Sequence, residues 1–379
     1  MLDATAHVGR LPSPSVWDVN STADRLVDAG AFVSRDLNLA GFTTLRVGGP
    51  APIVAECSTT QALVDAVRFL DAASIPTLLI AGGSNLVIGD AGWDGVVIRI
   101  ATSVVRLGDN VIAAEAGAVW DDVVATTVDA GLGGLECLSG IPGSAGATPV
   151  QNVGAYGVEV GSVLHRVRLL DRRSGEIRWV ETSELGLGYR TSVLKHSEDA
   201  LVLDVELQVS PDGLSAPIRY RELTTTLSVG EGDQVPAAQA RDAVLGLRRG
   251  KGMVLDAADH DTWSAGSFFT NPVVPDAEVS TVMAAITRQL GDIAVPSYPA
   301  DGGVKLSAGW LIERAGFGKG YPGNGAVATL STKHTLALTN RGSASASDIA
   351  SLARTVRDGV RGAFGVELFP EPVTVGFKI

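Results

Sequence analysis

The sequence predicts an α+β fold that is divided into several domains. Its 379 residues are enough for two or three domains with sizeable cores. Amphipathic helix patterns and short apolar strand patterns are mixed along the chain. Two uncharged, glycine-rich stretches interrupt these patterns, and such stretches are typical of backbone that approaches a ligand closely.

The first ordered region begins near Leu37 and is predicted to be a small α+β or α/β unit. Residues 59–73 predict a helix, because their apolar residues share one face and a threonine at 59 or 60 supplies an N-cap. Strands are predicted at 77–80 and 96–100. The preceding residues 1–36 indicate a loosely ordered extension with a short helical piece near 23–29.

The later part of the chain continues the mixed pattern. A hairpin is predicted at 165–171 and 176–180, where polarity alternates on both sides of a short Arg-Ser-Gly turn. Residues 211–235 are predicted to be irregular. The other predicted helices are 119–130, 237–248, 277–290, 308–315 and 348–364, and the other predicted strands are 111–114, 201–209, 326–329, 335–339 and 373–378.

Composition and charge exclude several classes of function. The net charge of −12 argues against a nucleic-acid-binding surface. No apolar run is long enough to cross a membrane, and the N-terminus lacks the features of a signal peptide, so we expect a cytoplasmic protein. Cys57 and Cys137 are the only cysteines, too few for a disulfide framework or a zinc site. We expect a monomer without a metal.

The stretch from Ile141 to Gly157, IPGSAGATPVQNVGAYG, is the most unusual part of the sequence. It contains four glycines and two prolines and no charged residue. A helix would not tolerate this glycine density and a surface loop would be more polar, so we interpret it as backbone beside a ligand. Gln151 and Asn152 would add uncharged hydrogen-bonding groups.

A second stretch of the same kind, Ala81 to Leu86 (AGGSNL), directly follows the predicted strand at 77–80. Successive backbone N–H groups in such a turn form a nest that binds anions. Two such loops, roughly sixty residues apart, indicate a long ligand with a diphosphate that neutral groups bind. Either loop alone is equally compatible with a tight turn between strands, and the pair favours the ligand.

Three other places carry side chains suited to chemistry. Ser267 lies between a glycine and two phenylalanines, where a serine can donate a proton to a carbanion; in isolation, a buried strand with Ser267 bonded to backbone explains the pattern better. Arg190 follows a glycine-rich turn and offers a planar fork for a carboxylate, and a surface salt bridge is its alternative. Glu371 lies between two prolines that fix its backbone, as a rigid turn alone would also explain.

Two patterns that mimic nucleotide-binding motifs are dismissed. Residues 318–323 fit G-x-G-x-x-G, but they follow a helical segment and contain a proline, so the Rossmann context fails. Residues 246–251 resemble a P-loop, but the spacing is one residue short and Gly252 stands where a Ser or Thr would bind magnesium. The five histidines are in unrelated contexts and indicate no catalytic triad.

Taken in order, the remaining motifs resemble those of the UDP-N-acetylenolpyruvoylglucosamine reductase (MurB) family, in the type with a tyrosine loop over the substrate. The resemblance extends from roughly Leu37 to the C-terminus. Each motif alone is weak, and the ordered set is highly specific. The motifs are TTLRVGGPA, AGGSNLVI, IPGSAGATPVQNVGAYGVE, GYRTSVLK, AGSFFTNPVV, KLSAGWLIERAG and the PE of FPEPV.

The resemblance implies a two-subdomain FAD-binding unit of the vanillyl-alcohol oxidase/PCMH type and a C-terminal α+β substrate-binding domain. The first subdomain would comprise residues 37–101, and the second would comprise residues 102–252 with the C-terminal strand 365–379. Residues 253–364 would form the substrate-binding domain.

The resemblance also implies that FAD is bound without a covalent link, because Asn85 stands in the loop where several covalent relatives carry a flavin-linking histidine. The two glycine-rich loops would hold the cofactor, mainly its diphosphate. The implied FAD contacts are Arg46, Gly82, Gly83, Ser84, Asn85, Leu86, Pro142, Gly143, Ser144, Gly146, Ala147, Gln151, Asn152, Gly154, Ala155, Tyr156 and Gly157.

The implied reaction is reduction of UDP-N-acetylglucosamine enolpyruvate to UDP-N-acetylmuramate in peptidoglycan precursor synthesis, with NADPH as co-substrate. Hydride passes from NADPH to flavin N5 and then to the enolpyruvyl methylene carbon. Arg190 and Glu371 match the positions thought to polarise the substrate carboxylate, and Ser267 matches the proton donor to the α-carbon. Pro372 and Thr374 depart from the charged pattern often seen after the glutamate.

Three further residues match the substrate-binding positions of the tyrosine-loop type. Tyr220 matches the tyrosine of the loop that covers the substrate. Lys251 and Asn271 match contacts to the UDP diphosphate. A phenol, an ammonium group and an amide suit a dianionic diphosphate without a metal.

Two alternatives are compatible with part of the sequence. The glycine-rich loops alone permit a related flavoprotein oxidase or dehydrogenase that acts on a sugar or alcohol, although the AGSFF motif and Tyr220 are then unexplained. A nucleotide-sugar-binding regulator that has lost flavin is the non-catalytic alternative, and the intact glycine loops argue against it.

Overall fold

The computed structural model describes residues 17–379 and contains two compact units. Unit 1 comprises residues 17–37, 50–83 and 93–249, and unit 2 comprises residues 38–49, 84–92 and 250–379. The second glycine-rich stretch therefore contributes to both units, because the division falls between Gly83 and Ser84.

The helices of the described residues are α1 (Val19–Asp28), α2 (Thr60–Ala72), α3 (Trp120–Asp129), α4 (Arg221–Leu227), α5 (Ala237–Gly250), α6 (Asp276–Leu290), α7 (Ala308–Arg314) and α8 (Ala346–Phe364). Across residues 17–379, none of the helices has the length and apolar character needed to span a membrane.

The strands of the described residues are β1 (Phe32–Asn38), β2 (Pro50–Cys57), β3 (Thr77–Ile80), β4 (Leu86–Ile88), β5 (Val96–Ile100), β6 (Val105–Leu107), β7 (Val111–Glu115), β8 (Gly154–Ala155), β9 (Val158–Glu159), β10 (Leu164–Asp171), β11 (Ile177–Glu181), β12 (Ala200–Gln208), β13 (Val273–Pro275), β14 (Ser297–Ala300), β15 (Gly303–Leu306), β16 (Ala328–Leu330), β17 (Leu338–Asn340) and β18 (Val373–Val375).

The first sheet of unit 1 has the strand order β1-β2-β5-β3, and its last three strands are parallel. Continuous Val and Ile runs in these strands are typical of parallel strands that are buried on both faces. The helix α2 begins after Thr59, whose hydroxyl accepts a hydrogen bond from the N–H of Ala62 at 3.2 Å. The predicted helix at 59–73 and the strands at 77–80 and 96–100 are confirmed.

The second sheet of unit 1 is antiparallel, with the order β11-β10-β12-β7-β6. The predicted hairpin is confirmed, because β10 and β11 pair on either side of a turn in which the Asp171 carboxylate accepts hydrogen bonds from the N–H groups of Arg173 and Ser174. Trp120 at the start of α3 is fully buried in the core beneath this sheet.

Residues 17–36 differ from the loosely ordered extension that the sequence analysis expected. The carboxylate of Asp18 caps α1 by accepting a hydrogen bond from the N–H of Ser21 at 2.6 Å, and Ala23 and Leu26 are buried. The strand β1 joins the edge of the first sheet. The short helical piece predicted near 23–29 is confirmed by α1, in which Val19, Ala23 and Leu26 lie on one face. Residues 1–16 lie outside the described residues.

The helix α4 was not expected, because residues 211–235 were predicted to be irregular. Three of its seven residues are threonines, which have a low helix propensity because their side chains are stiff at χ1. The hydroxyls of Thr224, Thr225 and Thr226 donate to carbonyl oxygens three or four residues back. Tyr220 occupies the N-cap position of this helix.

Unit 2 contains a three-stranded antiparallel sheet, the pair β16–β17, the pair β18–β4 and three helices. The helix α8 begins with a capping box between Ser345 and Asp348 and ends at Gly365, whose φ is +72°. Phe364 and Phe268 are fully buried in the core of this unit.

The C-terminal strand lies in unit 2, whereas the sequence analysis grouped it with residues 102–252. The strand β18 pairs in parallel with β4, and the N–H of Val373 donates to the carbonyl oxygen of Asn85 at 2.9 Å. A three-residue strand needs a backbone partner. The stretch after Asn85 supplies this partner, so the C-terminus completes the unit that contains Ser84–Gly92.

Candidate active site

In unit 1 the two glycine-rich stretches lie against each other. A Cβ atom placed on Gly82 would be 2.7 Å from the Cα of Gly143, closer than real Cβ atoms approach other atoms. Gly83 and Gly143 have φ values of +59° and +129°, which favour glycine. The structure therefore brings together two stretches that are about sixty residues apart in the sequence.

Backbone hydrogen bonds fix the start of the longer stretch. The carbonyl oxygen of Gly143 accepts from the N–H of Trp120 at 3.1 Å, and the N–H of Gly146 donates to the carbonyl oxygen of Ala116 at 2.9 Å. Between them, Ser144 is 3% exposed, and its Oγ has no hydrogen-bond partner among residues 17–379. A buried hydroxyl without a partner is costly, and a polar ligand would satisfy it.

The side chain of Asn152 is engaged by the protein, which differs from the expectation that its amide contacts a ligand. Its NH₂ group donates to the carboxylate of Glu159 at 2.8 Å and to the carbonyl oxygen of Gly188 at 3.0 Å. Its Oδ1 accepts from the N–H of Gly161 at 2.9 Å. Both amide protons are thus used inside unit 1, while the neighbouring Gln151 is half-buried.

Arg190 lies beside this same stretch. Its guanidinium donates to the carbonyl oxygen of Gly154 at 2.9 Å and to that of Asn152 at 3.5 Å. A Cβ atom on Gly154 would lie 3.2 Å from Nη1 of Arg190 and 2.9 Å from Cγ of Glu159, so glycine allows the close approach. The structure places the predicted carboxylate-binding arginine directly on the predicted cofactor-binding segment.

Tyr156 and Tyr220 form a second contact of the glycine-rich segment. Their rings are 5.3 Å apart in an edge-to-face arrangement, and Tyr220 is 44% exposed. Burial raises the pKa of Tyr156 to about 12, while the positive charge of Arg248 acts in the opposite direction. The phenol of Tyr156 is therefore neutral at physiological pH and can donate a hydrogen bond.

In unit 2, Ser267 lies at a bend, and its hydroxyl makes no hydrogen bond within the described residues. Gly266 has a φ of +74°, and Phe268 and Phe269, which follow Ser267, are buried with their rings 5.3 Å apart. Ser267 itself is half-buried, and no hydrogen bond within residues 17–379 engages its Oγ. The sequence alone favoured a backbone-bonded serine, and the structure does not contain that bond in the described part of the chain.

Glu371 lies next to the Ser267 segment. Its N–H donates to the carbonyl oxygen of Phe268 at 2.9 Å, and Phe269 and Pro370 form an antiparallel bridge. The carbonyl oxygen of Glu371 accepts from the Asn85 side-chain amide at 3.5 Å. Unit 2 thus brings together the segment of the predicted proton donor Ser267, the backbone of Glu371 and Asn85 of the AGGSNL stretch.

Arg46 also belongs to unit 2 and has a left-handed φ of +57°. Its guanidinium lies 5.6 Å from the ring centroid of Trp263, and its carbonyl oxygen accepts from the Asn340 side chain at 3.1 Å. The Nε of Arg46 and the Nε1 of Trp263 are buried without a partner among the described residues. Trp263 was not singled out from the sequence, because a lone tryptophan carries no spacing signal.

Asn271 and Lys251, the two predicted contacts to the UDP diphosphate other than Tyr220, both lie in unit 2. The Oδ1 of Asn271 accepts from the N–H of Ala308 at the start of α7 at 2.9 Å, while its NH₂ group has no partner within residues 17–379. Lys251 is half-buried and follows α5 directly.

Sequence reasoning missed three residues of unit 1 that fix the backbone just before the longer glycine-rich stretch. Asp121 accepts from the N–H of Gly140 at 2.6 Å and binds Arg241 through two hydrogen bonds at 2.7 and 3.0 Å. Arg248 donates to the carbonyl oxygen of Gly140 at 3.2 Å, and burial lowers its pKa. Arg248 lies within the dismissed P-loop pattern, so the basic run before Lys251 was a usable signal.

No group of three His, Cys, Asp or Glu side chains suited to a metal ion occurs within the part of the chain that the structure describes. Polar groups of the candidate site without a partner within residues 17–379 include the hydroxyl of Ser144, the NH₂ group of Asn271, the indole N–H of Trp263 and the Nε of Arg46. Such donors suit phosphate and carboxylate oxygens.

Two families of known proteins match the chain. The family described as "UDP-N-acetylenolpyruvoylglucosamine reductase, C-terminal domain" matches residues 258–375. The family described as "FAD binding domain" matches residues 51–181. Both glycine-rich stretches and β3 lie wholly in the second match, and Ser267 and Glu371 lie in the first.

Curated relatives are similar over nearly the whole chain. The UDP-N-acetylenolpyruvoylglucosamine reductase of Nocardia farcinica (strain IFM 10152) is 68% identical over 354 residues, which are 93% of this chain and 92% of the relative. The protein of the same name from Saccharopolyspora erythraea is 61% identical over 353 residues, 91% of this chain and 96% of the relative.

A crystal structure of UDP-N-acetylenolpyruvylglucosamine reductase (MurB) from Thermus caldophilus has a similar fold. Its TM-score is 0.63 at 26% sequence identity, and the match covers 91% of this chain and 99% of that one. The predicted fold class, α+β with an FAD-binding part and a C-terminal α+β domain, is confirmed by this structure and by the two family matches.

Proposed function

The chain belongs to the UDP-N-acetylenolpyruvoylglucosamine reductase family, and we propose from this premise that it reduces UDP-N-acetylglucosamine enolpyruvate to UDP-N-acetylmuramate with NADPH as co-substrate. It is a flavin-dependent oxidoreductase, and its cofactor is FAD. We also propose that it is of the type with a tyrosine loop over the substrate.

The residues of unit 1 fit FAD. The contact between Gly82 and Gly143 leaves two backbone turns side by side without side chains, and the buried Oγ of Ser144 has no partner in the described residues. Backbone N–H groups and a hydroxyl are suitable ligands for a diphosphate. In unit 2, the unpartnered Nε of Arg46 is a further donor. FAD, when bound, supplies the hydride chemistry between NADPH and the enolpyruvyl methylene carbon.

Arg190 would bind the carboxylate of the enolpyruvyl group, and Arg190 and Glu371 would together polarise it. Negative charge grows on this carboxylate when hydride reaches the methylene carbon, so a fixed guanidinium stabilises the transition state more than the ground state. The hydrogen bonds of Arg190 to the carbonyl oxygens of Asn152 and Gly154 orient the guanidinium before substrate arrives. Glu371 is fixed through its backbone, between Phe268 and Asn85.

Ser267 would supply the proton that completes the reduction. Hydride adds to the methylene carbon of the double bond, and the proton from the Ser267 hydroxyl adds to the α-carbon, which yields the saturated lactyl ether. The single observation that carries the proposal is that the Ser267 hydroxyl has no hydrogen bond within residues 17–379, while the next residue, Phe268, bonds to the backbone of Glu371. A hydroxyl already donating to backbone would have to break that bond before it acted.

Three further residues would bind the UDP diphosphate. Tyr220 is exposed at the N-cap of α4 and presents a phenol. The Asn271 amide retains its NH₂ donors, and Lys251 adds a positive charge. We also propose that the protein is a cytoplasmic monomer, which size-exclusion chromatography with light scattering tests for oligomeric state.

The test of the proposed function uses the purified full chain. We expect the protein to have a flavin absorbance band between about 350 and 500 nm. Denaturation should release the FAD into solution, because no covalent link forms. NADPH oxidation should depend on the enolpyruvyl substrate. Rapid oxidation of the reduced protein by oxygen without enolpyruvyl turnover would identify an oxidase instead, and a colourless protein that binds UDP-sugars would identify a non-catalytic binder.

A further inference from the structure

We propose that Asn152 is a positioning residue for Arg190, acting through the carbonyl oxygen of Gly188. The proposal rests on the proposed function, in which Arg190 binds the substrate carboxylate. It changes the role of Asn152 from a cofactor contact to a bridge between two segments of unit 1 that are 36 residues apart.

Asn152 is built into the protein more tightly than a ligand-binding amide needs to be. It is 3% exposed and has a left-handed φ of +46°. One amide proton goes to Glu159 and the other to the carbonyl oxygen of Gly188, and the side-chain oxygen accepts from the N–H of Gly161. An asparagine tolerates this backbone conformation, and its amide supplies donors and an acceptor at once.

Gly188 begins the turn that carries Arg190. The backbones of Gly188 and Thr191 bond to each other at 3.1 and 3.3 Å, which closes the turn around Arg190. The Arg190 backbone is in the left-handed region with a φ of +55°, and the ammonium of Lys195 donates to its carbonyl oxygen at 2.7 Å. Strained backbone of this kind persists only where neighbouring contacts fix it.

The two segments therefore hold each other through a closed set of bonds. The Asn152 side chain fixes the start of the turn at Gly188, and the Arg190 side chain returns to the carbonyl oxygens of Asn152 and Gly154. The hydroxyl of Ser192 adds a bond to the carbonyl oxygen of Val150 at 2.6 Å. Loss of the bond to Gly188 frees the turn while most of the surrounding fold remains, so the effect should fall on the orientation of Arg190.

The Asn152→Asp variant removes both donors without changing the size of the side chain. The new carboxylate faces two acceptors, the Glu159 carboxylate and the Gly188 carbonyl oxygen. We expect kcat/KM to fall about 100-fold, the scale of a catalytic group displaced by about 1 Å, and thermal stability to fall as well. Asn110→Asp, the same change at an exposed turn of unit 1, is the matched control and should change neither quantity.

A swap variant separates the positioning role from a merely structural one. It combines Asn152→Asp with Glu159→Gln, so that the introduced glutamine amide can donate to the introduced carboxylate and restore the bond between these two positions, but the bond to Gly188 stays absent. Compared with Glu159→Gln alone, we expect the swap variant to have a similar melting temperature and a kcat/KM at least about 10-fold lower, part of the loss expected for a displaced catalytic group. Equal kcat/KM in the two variants would overturn the proposal.

A double-mutant cycle with Arg190→Lys tests whether the effect passes through Arg190. Residues that act as one unit give non-additive effects, so Asn152→Asp should cost little further activity in the Arg190→Lys background, and additive losses would contradict the proposal. Crystal structures of the wild type and the swap variant test the positioning role of Asn152 independently of the proposed function. Arg190 should leave the Gly154 carbonyl oxygen in the variant, and an unchanged contact would refute the positioning role even if the wild type lacked turnover.

Discussion

Arg190 in unit 1 and Ser267 in unit 2 are fixed in opposite ways. The guanidinium of Arg190 is bonded to two backbone carbonyl oxygens, and its own backbone is in a strained conformation. The hydroxyl of Ser267 has no bond within residues 17–379, and the surrounding backbone is fixed instead, through the N–H and carbonyl oxygen of Phe268 and two buried rings. One site restrains the side chain and the other restrains the chain around it.

The difference teaches how each group is suited to its proposed task. A guanidinium that stabilises growing charge must be oriented before the charge appears, since reorientation during the reaction costs energy. A hydroxyl that gives up its proton must not already share it with backbone. Changes at Arg190 should therefore affect both stability and activity, whereas changes at Ser267 should affect activity alone.

The largest expected effect is that of Ser267→Ala. The change removes a free hydroxyl without breaking a bond in the described residues, so we expect kcat to fall by about 10²–10⁴, the range for general acid catalysis, with an unchanged melting temperature and unchanged FAD content. Turnover assays, thermal unfolding and flavin absorbance measure these three quantities.

Ser280→Ala is the matched control for Ser267→Ala, because Ser280 is exposed on α6 of the same unit. It should behave as the wild type in all three measurements. Wild-type turnover in Ser267→Ala would remove the proton-donor role, and a large loss of stability would contradict the contrast with Arg190.

The next effect is that of Arg190→Lys, which keeps the charge and removes the planar fork. A single ammonium cannot reproduce the guanidinium's two carbonyl contacts and its orientation, so we expect kcat/KM to fall about 100-fold. Stability should fall by about 1 kcal/mol for the lost hydrogen bond, measured by urea unfolding. If stability were unchanged while activity fell, Arg190 and Ser267 would not differ in the way that the contacts indicate.

Strong local patterns were predictable from the sequence, and the contacts that orient the site were not. The helix α2 and the hairpin β10–β11 have clear apolar periods and capping or turn residues, and both were predicted to within about two residues. The helix α4 was missed because three consecutive threonines lower its helix propensity. Tertiary packing overrode the local preference there.

The site shows the same limit in its individual residues. Glycine density identified the segment around Gly143, since close backbone approach leaves a compositional signal. Asn152 was predictable only as a polar group in a glycine-rich loop, because nothing in the sequence shows that the amide bonds to Gly188. Ser267 was more easily explained as a backbone-bonded serine, and only the folded chain shows that Leu336 and Glu371 bond to Phe268 instead.

A smaller effect is expected where the two glycine-rich stretches of unit 1 meet. Gly82→Ala places a Cβ atom 2.7 Å from the Cα of Gly143, backbone that cannot move aside cheaply. We expect a loss of about 1–3 kcal/mol in the free energy of unfolding and a lower ratio of FAD to protein after purification. Both are measured without an activity assay.

Gly246→Ala is the control for Gly82→Ala, because a Cβ atom at this position of α5 meets nothing within 4 Å. It should stabilise the protein slightly, by about 0.5–1 kcal/mol, since alanine is the better helix former. Full FAD content and wild-type stability in Gly82→Ala would show that the close contact of the two stretches is not required.

The smallest effect concerns Asp121, which fixes the entry to the glycine-rich segment by accepting from the N–H of Gly140 and from Arg241. Burial alone would raise the pKa of Asp121, but these hydrogen bonds and the positive charge of Arg241 outweigh it and place the pKa below its ordinary value of 3.8. The folded state thus binds this proton more weakly than the unfolded state. The resulting stability is present above pH 3.8 and is lost as the pH falls through the lowered pKa.

Asp121→Asn should therefore cost about 1 kcal/mol at neutral pH, and the difference from the wild type should shrink as the pH falls below 3.8. Urea unfolding at a series of pH values measures it, with Asp109→Asn at an exposed turn as the control. A difference that does not depend on pH would mean that Asp121 acts by its shape and not by its charge. Backbone bonds such as that between Gly143 and Trp120 would then be the main restraint on the segment.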